Sequence, residues 1–543
     1  MRIGALFALT LFLTAACSVP ESRDSLSEAI LRPAKITVNL NSATHAVSPL
    51  LFGASIEWTE NGNRIFDPVS GTVRARVETE LAPLRIPLWR FPGGILSYYY
   101  HWSDGVGPRN RRPVRANPMD ASSSENNFGS DELIDFCRVV NGEPLITANL
   151  GTGSLKETLA WQQHFIRNGM PVRLWEIGNE IYLAEAKRRA AIPGNDERIF
   201  MSAAQYAAAF REWSHALHAA APDVLVGAIA GTYNTSRENR GWLATIVSEA
   251  GRDADFLALH NSFAPLIIGK YDFSAVRKRE QAYLVMYAHA LAVGDDIRQV
   301  RAELSKVSSP AASRIAITEH FPLFGTGSGQ QLLAILDQSR TIAAALYTAS
   351  LFHTYMREGV WMANYNLAVS KWFGALVLDA DSGLVRAPVW CVFGLCRDHF
   401  GAQILDTAVD SPVYSTAALG SVHRRDNVPF LDAIASQDEE GNYYLAVINR
   451  HPSASISGSI NVEGKIAPDA QIFTLRGRSA NAVSGKSLST STDSGPPNAI
   501  ATVSTIHELK SGGSYSFPPT SITIIEWHKT GSVGQSSIPE KTL

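Results

Sequence analysis

Eight short apolar runs recur along the chain, most of them closing on polar or ionisable residues: LFGASIEW (51–58), PLWRFPGG (87–94), PLITANLG (144–151), VRLWEIGNE (172–180), VLVGAIAG (224–231), FLALHNS (256–262), RIAITEH (314–320) and VWMANYNL (360–367). Runs of this length, bounded by Gly, Pro or Asn, are strand signals. Between them the period changes to that of a helix. In 154–169, Ser154 and Glu157 have capping-box spacing and Gly169 ends the pattern. In 203–222, Tyr206, Phe210, Trp213 and Leu217 share one face before Pro222 stops the run. Longer helical patterns fill about 273–304 and 330–358. Strand–helix alternation repeated eight times predicts an α/β fold, a (β/α)8 TIM barrel over 50–400. An open doubly wound sheet competes, but no Gly-rich phosphate-binding turn follows the first strand.

From 401 the texture changes to short alternating runs parted by Gly, Asn, Ser and Pro, as in ASISGSINVEG and AQIFTLRG. This predicts an all-β sandwich over 401–528. Residues 34–49 also read as strand and turn, and are expected to join that sandwich. Residues 529–543 read as a tail.

The N-terminus starts with Arg2, an apolar run from Ile3 to Leu13, and small residues ending at Cys17. That is the layout of a secretory signal over 1–16, too short for a comfortable membrane span. The closing TAAC is similar to a bacterial lipobox, with Thr14 where such boxes usually carry Leu. Lipidation of Cys17 is therefore expected, with 17–33 as a tether and a periplasmic or outer-membrane-anchored lipoprotein as the product. A plain signal peptide is the alternative.

Composition adds little. The 543 residues are 45% hydrophobic and 18% charged, with net charge −3. That is ordinary for a globular protein and gives no basic face for nucleic acid. Cys391 and Cys396 are five apart and could bridge in an oxidising compartment, leaving Cys137 alone; buried free thiols are the other reading. No Cys/His cluster has metal-ligand spacing, so no metal or other cofactor is expected.

Chemistry in a barrel collects where the strands end. Those ends read Glu57, Arg90, Asn149, Asn179-Glu180, His260-Asn261, Glu319-His320 and Asn364/Asn366. Glu180 after the fourth strand and Glu319 after the seventh stand across the mouth. Such a pair can cleave a glycosidic bond, one protonating the departing oxygen while the other attacks the anomeric carbon. Asn179 could bond the sugar 2-hydroxyl, Arg90 could keep an acidic partner ionised, and Glu57 could take sugar hydroxyls. Glu176, four residues before Glu180, faces the same way and could be the functional carboxylate, but reads more readily as an interior ion-pair member. His260 and His320 more often serve structural hydrogen bonds. Trp89, Trp102, Trp175, Trp361 and Trp372 are either sugar platforms or core. FPGG (91–94) suits a tight turn with close backbone approach.

At this point the motifs carry a resemblance. WRFPGGILSYYYHWSDGVGPRNRRP (89–113) is similar to the Arg-aromatic-Pro-Gly-Gly…Tyr-x-Trp-x-Asp-Gly-x-Gly-Pro segment of glycoside hydrolase family 51, the α-L-arabinofuranosidases. EIGNE (176–180) resembles the clan's Asn-Glu acid/base motif, and ITEHF (317–321) its nucleophile strand. FGASIEW (52–58) and APVWCVFGLCRDHFGAQIL (387–405) resemble the opening strand and the link into the C-terminal sandwich. The resemblance implies a retaining hydrolase with Glu180 as acid/base and Glu319 as nucleophile. Glu57, Arg90 and Asn179 would line the subsite of the cleaved sugar, with His260, Asn261 and Trp102 as further substrate-binding candidates. It also allows a homo-oligomer, a trimer or hexamer. The chain departs from the pattern at four places. Ile95 stands where the family usually has Asn, and Ser262 where it tends to have an aromatic. His320-Phe321 replaces Trp-Asn, and Asn366-Leu367 lies where a Gln is usual. The partner is expected to be an oligo- or polysaccharide. α-L-Arabinofuranoside is the leading glycone, and another furanoside, a pyranoside or a uronide is the alternative. A catalytically inactive glycan-binding lipoprotein and a polysaccharide lyase using Tyr98 to Tyr100 and His101 are the competing classes.

Overall fold

The computed structural model describes residues 32–529, apart from 119–120, 183–198, 200, 232–236, 264–266, 269–275, 324, 327–332, 334–335, 372–373, 381–382, 421, 478–498 and 507. The expected signal peptide, most of the tether, Cys17, Trp372 and nearly all of the tail lie outside the described residues.

Strand β1 (Ala34–Ala46) precedes the barrel strands β2 (Gly53–Ser55), β3 (Leu88–Phe91), β4 (Glu143–Ala148) and β5 (Leu174–Ile177). Next come β6 (Leu225–Gly231), β7 (Phe256–Leu259), β8 (Ile315–Phe321) and β9 (Met362–Tyr365). Each pairs in parallel with the next, and β9 returns to β2, closing an eight-stranded barrel. The helices after successive strands are α1 (Ala75–Leu81), α2 (Ser130–Val140), α3 (Leu155–Arg167), α4 (Ala203–Ala220), α5 (Arg237–Ala250), α6 (Val276–Lys306), α7 (Ile342–Arg357) and α8 (Pro388–Asp398).

The last two long helical patterns form α6 and α7, although residues 273–275, 330–332 and 334–335 of those patterns lie outside the described residues. α6 is described from Val276, and at the start of α7 Thr341 accepts a hydrogen bond from Ala344 N and caps Ile342–Arg357. Ser154 caps α3 through Glu157 N at 3.2 Å, but the reciprocal half of the expected capping box is missing, because Glu157 turns its carboxylate to His101. α7 is buried on every face between barrel and sandwich, which explains its near-continuous apolar sequence.

The inside of the barrel has two layers. Leu88, Leu145, Leu174, Phe256, Ala258, Ala316 and Met362 fill the lower one. Because strand side chains alternate, the residues two further along each strand point inward one layer higher. These are Arg90, Thr147, Glu176, His260 and Thr318, all buried.

The C-terminal region is one nine-stranded all-β sheet. Its strands are β10 (Gln403–Asp410), β11 (Leu431–Gln437), β12 (Tyr443–Asn449), β13 (Ile456–Glu463), β14 (Ala470–Gly477), β15 (Ala499–Ile506), β16 (Gly513–Phe517) and β17 (Ser521–Trp527), joined by β1. The order is β15-β14-β17-β12-β11-β10-β1-β13-β16. β1 lies inside this sheet, antiparallel to β10 and parallel to β13. The sheet curls over, so that Trp527 Nε1 reaches Leu509 O and Asn449 Nδ2 reaches Phe517 O. Asp432 meets Arg450 at 2.7 Å and pairs with Arg357 of α7, tying the sheet to the barrel. Cys137, Cys391 and Cys396 are buried free thiols, the last two along α8.

Candidate active site

The turn after β5 puts Asn179 and Glu180 at the mouth. Gly178 adopts φ +79°, and a Cβ there would fall 2.7 Å from Ile181 Cδ1. Glycine is therefore what lets the strand end on this pair. Gly93 (φ +115°) does the same after β3, letting the backbone pass against Glu57 Cγ.

Arg90 is fully buried and divides its guanidinium among three partners. Nε donates to Glu176 Oε2 at 2.9 Å, Nη1 to Glu319 Oε2 at 3.1 Å and Nη2 to Asn179 Oδ1 at 2.6 Å. The other oxygen of Glu319 accepts from Asn366 Nδ2 at 2.9 Å. Glu176 also accepts from Thr147 at 3.0 Å and Thr318 at 2.5 Å. His260 bridges the two sides, Nδ1 being 3.1 Å from Glu180 Oε1 and Nε2 2.9 Å from Thr318 Oγ1. Tyr182 Oη approaches Glu180 Oε1 at 3.5 Å.

These surroundings set the charges. Burial opposes ionisation of Glu176, but the Arg90 and His260 charges and the hydrogen bonds outweigh it and bring the carboxyl to about 2. Burial likewise opposes charge on His260, yet its carboxylate neighbours push it up to about 9. Glu319 is raised above the usual carboxylate range, chiefly by burial, with Glu180 and Glu176 adding to it and His260 and Arg90 opposing. Glu57 is pushed up to about 7 by burial, against a hydrogen bond from Asn63.

His260 Nδ1 lies 3.1 Å from Glu180 Oε1 and 4.0 Å from Glu319 Oε2, so those two oxygens are at most about 7 Å apart. Beside them, the Tyr98 hydroxyl and the Asn179 amide nitrogen are buried without a well-formed hydrogen bond. A hydroxyl-bearing ligand would satisfy both.

The structure gathers Arg90, Asn179, Glu180, His260 and Glu319 and sets Glu57 within electrostatic reach of Glu319. Other expected members lie elsewhere. Asn261 has the opposite parity to His260 and faces Asp296 on α6, whose carboxyl burial pushes up to about 7. Trp102 packs on α3, its Nε1 donating to Glu157 O at 3.0 Å and its ring 5.1 Å from His164. Asn149 holds loop backbone at Tyr100 O. His320 is buried behind the sheet among Phe352, Tyr355 and Tyr365, which keeps it neutral at about 3. Trp89 and Trp175 are core, and Trp361 closes the opposite end of the barrel. Thr318 and Tyr182 have no role in the sequence reading, Tyr98 is named there only for a lyase, and Asn366 only as a strand end and a departure from the family pattern. Alternation from Ala316 is the signal that points to Thr318.

Residues 80–170 match the α-L-arabinofuranosidase 1 domain and residues 327–521 the α-L-arabinofuranosidase C-terminal domain. A probable α-L-arabinofuranosidase C from Aspergillus fumigatus is 24% identical over 531 residues, covering 91% of this chain and 97% of its own length. An intracellular exo-α-L-arabinofuranosidase from Bacteroides ovatus is 24% identical over 454 residues, covering 78% and 83%. The structure of the family 51 α-L-arabinofuranosidase from Thermotoga petrophila aligns with a TM-score of 0.72 at 25% identity, covering 91% of this chain and 99% of that one. The family 51 arabinofuranosidase from Xanthomonas axonopodis pv. citri shares the fold, with a TM-score of 0.75 at 21% identity over 91% and 100%. With two glutamates facing each other across a closed barrel, the chain resembles the family 51 arabinofuranosidases over most of its length, and it is an arabinofuranosidase-like glycoside hydrolase.

Proposed function

We propose that this protein is a retaining glycosidase that removes α-L-arabinofuranosyl groups from oligo- or polysaccharides, with Glu180 as acid/base and Glu319 as nucleophile. The observation that carries the reading is the reach of His260 to both carboxylates, which caps their separation at about 7 Å. That bound admits the about 5–5.5 Å that retention needs and leaves only the short end of the about 6.5–9.5 Å inverting range. In the first step a Glu319 oxygen bonds to the anomeric carbon as the glycosidic bond breaks, and the departing oxygen takes the proton of Glu180. In the second, Glu180 takes a proton from water, whose oxygen displaces Glu319. Arg90 and Asn366 hold one nucleophile oxygen each, while Asn179 and Tyr98 offer hydrogen bonds to the sugar.

The test is a panel of p-nitrophenyl glycosides: α-L-arabinofuranoside, galactofuranoside, xyloside and glucuronide. Ile95 and Ser262 stand where the family carries Asn and an aromatic, so turnover of another member would assign a different glycone. Glu180→Ala is expected to keep turnover of substrates with good leaving groups and to be rescued by azide, whereas Glu319→Ala stays inactive on them. Near wild-type activity in both variants would refute the assignment, and silence across the panel and on polysaccharide would favour the glycan-binding reading. We further propose export and lipidation at Cys17, on the sequence of residues 1–17 alone. Loss of membrane association in Cys17→Ser would support it, and an unchanged soluble distribution would refute it. Assembly as a homo-oligomer is a further proposal, and sedimentation tests it.

A further inference from the structure

Four side chains form a line through the barrel interior: Glu176, Thr318, His260 and Glu180. Glu176 is fully buried with Arg90 and Thr147 donating to Oε2. An ionised carboxylate can only accept, so the hydrogen of Thr318 Oγ1 points at Glu176 Oε1. A hydroxyl has one hydrogen. Thr318 Oγ1 must therefore accept at its other contact, His260 Nε2, 2.9 Å away, and that nitrogen carries a proton. The remaining nitrogen, Nδ1, faces Glu180 Oε1. A neutral ring protonated at Nε2 presents a bare lone pair there.

We propose that Glu176, acting through the Thr318 hydroxyl, locks His260 as the Nε2–H form, so that His260 Nδ1 and Glu180 share the single proton delivered to the leaving group. Glu176 and Thr318 are thus positioning residues, and the inference rests on the acid/base role given to Glu180. The charged groups facing His260 are Glu176 and Glu180 from β5 and its turn and Glu319 from β8, with Arg90 behind two of them. Without the lock, the neutral ring would carry its hydrogen on Nδ1 and donate it to an ionised Glu180. The acid would then be spent before substrate arrives.

Thr318→Val removes the relay without removing a charge, and Thr318→Ser restores it. In Thr318→Val the basic limb of kcat/KM is expected to move to lower pH by about half a unit to one unit, the size of one buried hydrogen bond. Glycosides with poor leaving groups should lose more than dinitrophenyl glycosides, and Thr318→Ser should return both properties. Nitrogen-15 NMR of histidine-labelled protein, with His260→Gln for assignment, should show Nε2–H in the wild type above the basic limb. A Thr318→Val limb that does not move, with unchanged leaving-group dependence, overturns the proposal, as does an Nδ1–H signal in the wild type above the basic limb. If Thr318→Val does not fold, Glu176→Gln carries the test. Its amide oxygen would face Arg90 and Thr147 and its NH2 would face Thr318, reversing the relay and moving the His260 hydrogen to Nδ1; retention of Nε2–H there overturns the proposal. A wild type inert on every glycoside would remove the glycosidase reading instead, while the tautomer is read on the free enzyme in either case.

Discussion

Asn366→Ala separates the nucleophile's electrostatics from everything else in the site. Glu319 receives Arg90 on Oε2 and the Asn366 amide on Oε1 at 2.9 Å. The second bond is stronger to the ionised form, because the charged oxygen is the better acceptor. A hydrogen bond to a charged group contributes about 1.5–3 kcal/mol, and about 1.4 kcal/mol corresponds to one pH unit, so losing it should raise the Glu319 pKa by about 1–2 units. The nucleophile must be ionised to attack. Raising its pKa therefore removes active enzyme at low pH, and the acid limb of kcat/KM moves towards higher pH. On the acid side the loss should be about 10- to 100-fold, narrowing as pH rises. The assay is initial-rate kinetics on the p-nitrophenyl glycoside that the wild type prefers, at constant ionic strength, with thermal unfolding at pH 8 as a folding control. An acid limb that stays in place or moves down refutes the reasoning. So does a loss equal at every pH, because the amide would then act on the sugar and not on Glu319.

Tyr98→Phe should cost about tenfold in kcat/KM with no fall in Tm, since the hydroxyl has no well-formed partner in the free enzyme; unchanged kinetics with a lower Tm would contradict this. Glu57 has its folded pKa raised from 4.5 to about 7, so its contribution is fully present below pH 4.5 and is lost as pH rises through 7. Glu57→Gln should accordingly gain stability over wild type between pH 5 and 8, by at most about 3 kcal/mol, and a parallel pH dependence of Tm would count against it. Asp432 is held well below its ordinary value, against burial, by Arg357, Arg450 and His353. Asp432→Asn leaves buried Arg450 uncompensated and should cost about 3–5 kcal/mol in urea unfolding, a loss below 1 kcal/mol being the refuting result.

The barrel was legible because every one of its strands is a short apolar run, and apolar runs report burial directly. The carboxylate pair was legible because strand ends in a barrel share one rim. What periodicity hid is which side of the wall a terminal residue faces. His260 and Asn261 are neighbours in sequence, yet one enters the site and the other turns to α6. In β8 the alternation fails, with a register irregularity between Ile317 and His320 that brings Thr318 and Glu319 both to the interior and leaves His320 behind the sheet. A break of that kind depends on neighbouring strands, so no local pattern announces it. The tryptophans misled for the opposite reason. Trp102 has the composition of a sugar platform, but its partner, α3, is recruited by a loop whose path no periodicity describes.

The place of β1 inside the C-terminal sheet ties the two ends of the chain together in time as well as space. Its partner β10 begins at Gln403, so on a ribosome making about 5–20 residues per second the first strand waits roughly 20–70 s for its neighbour. The barrel can close during that interval, but the sheet cannot. A fragment cut at 400 would offer β10 and β13 as two facing, unpaired edges, the kind of surface that recruits strands from other chains. The region that looks separable in the sequence is thus inseparable in synthesis, and whatever holds the N-terminus holds a strand of the last sheet to form.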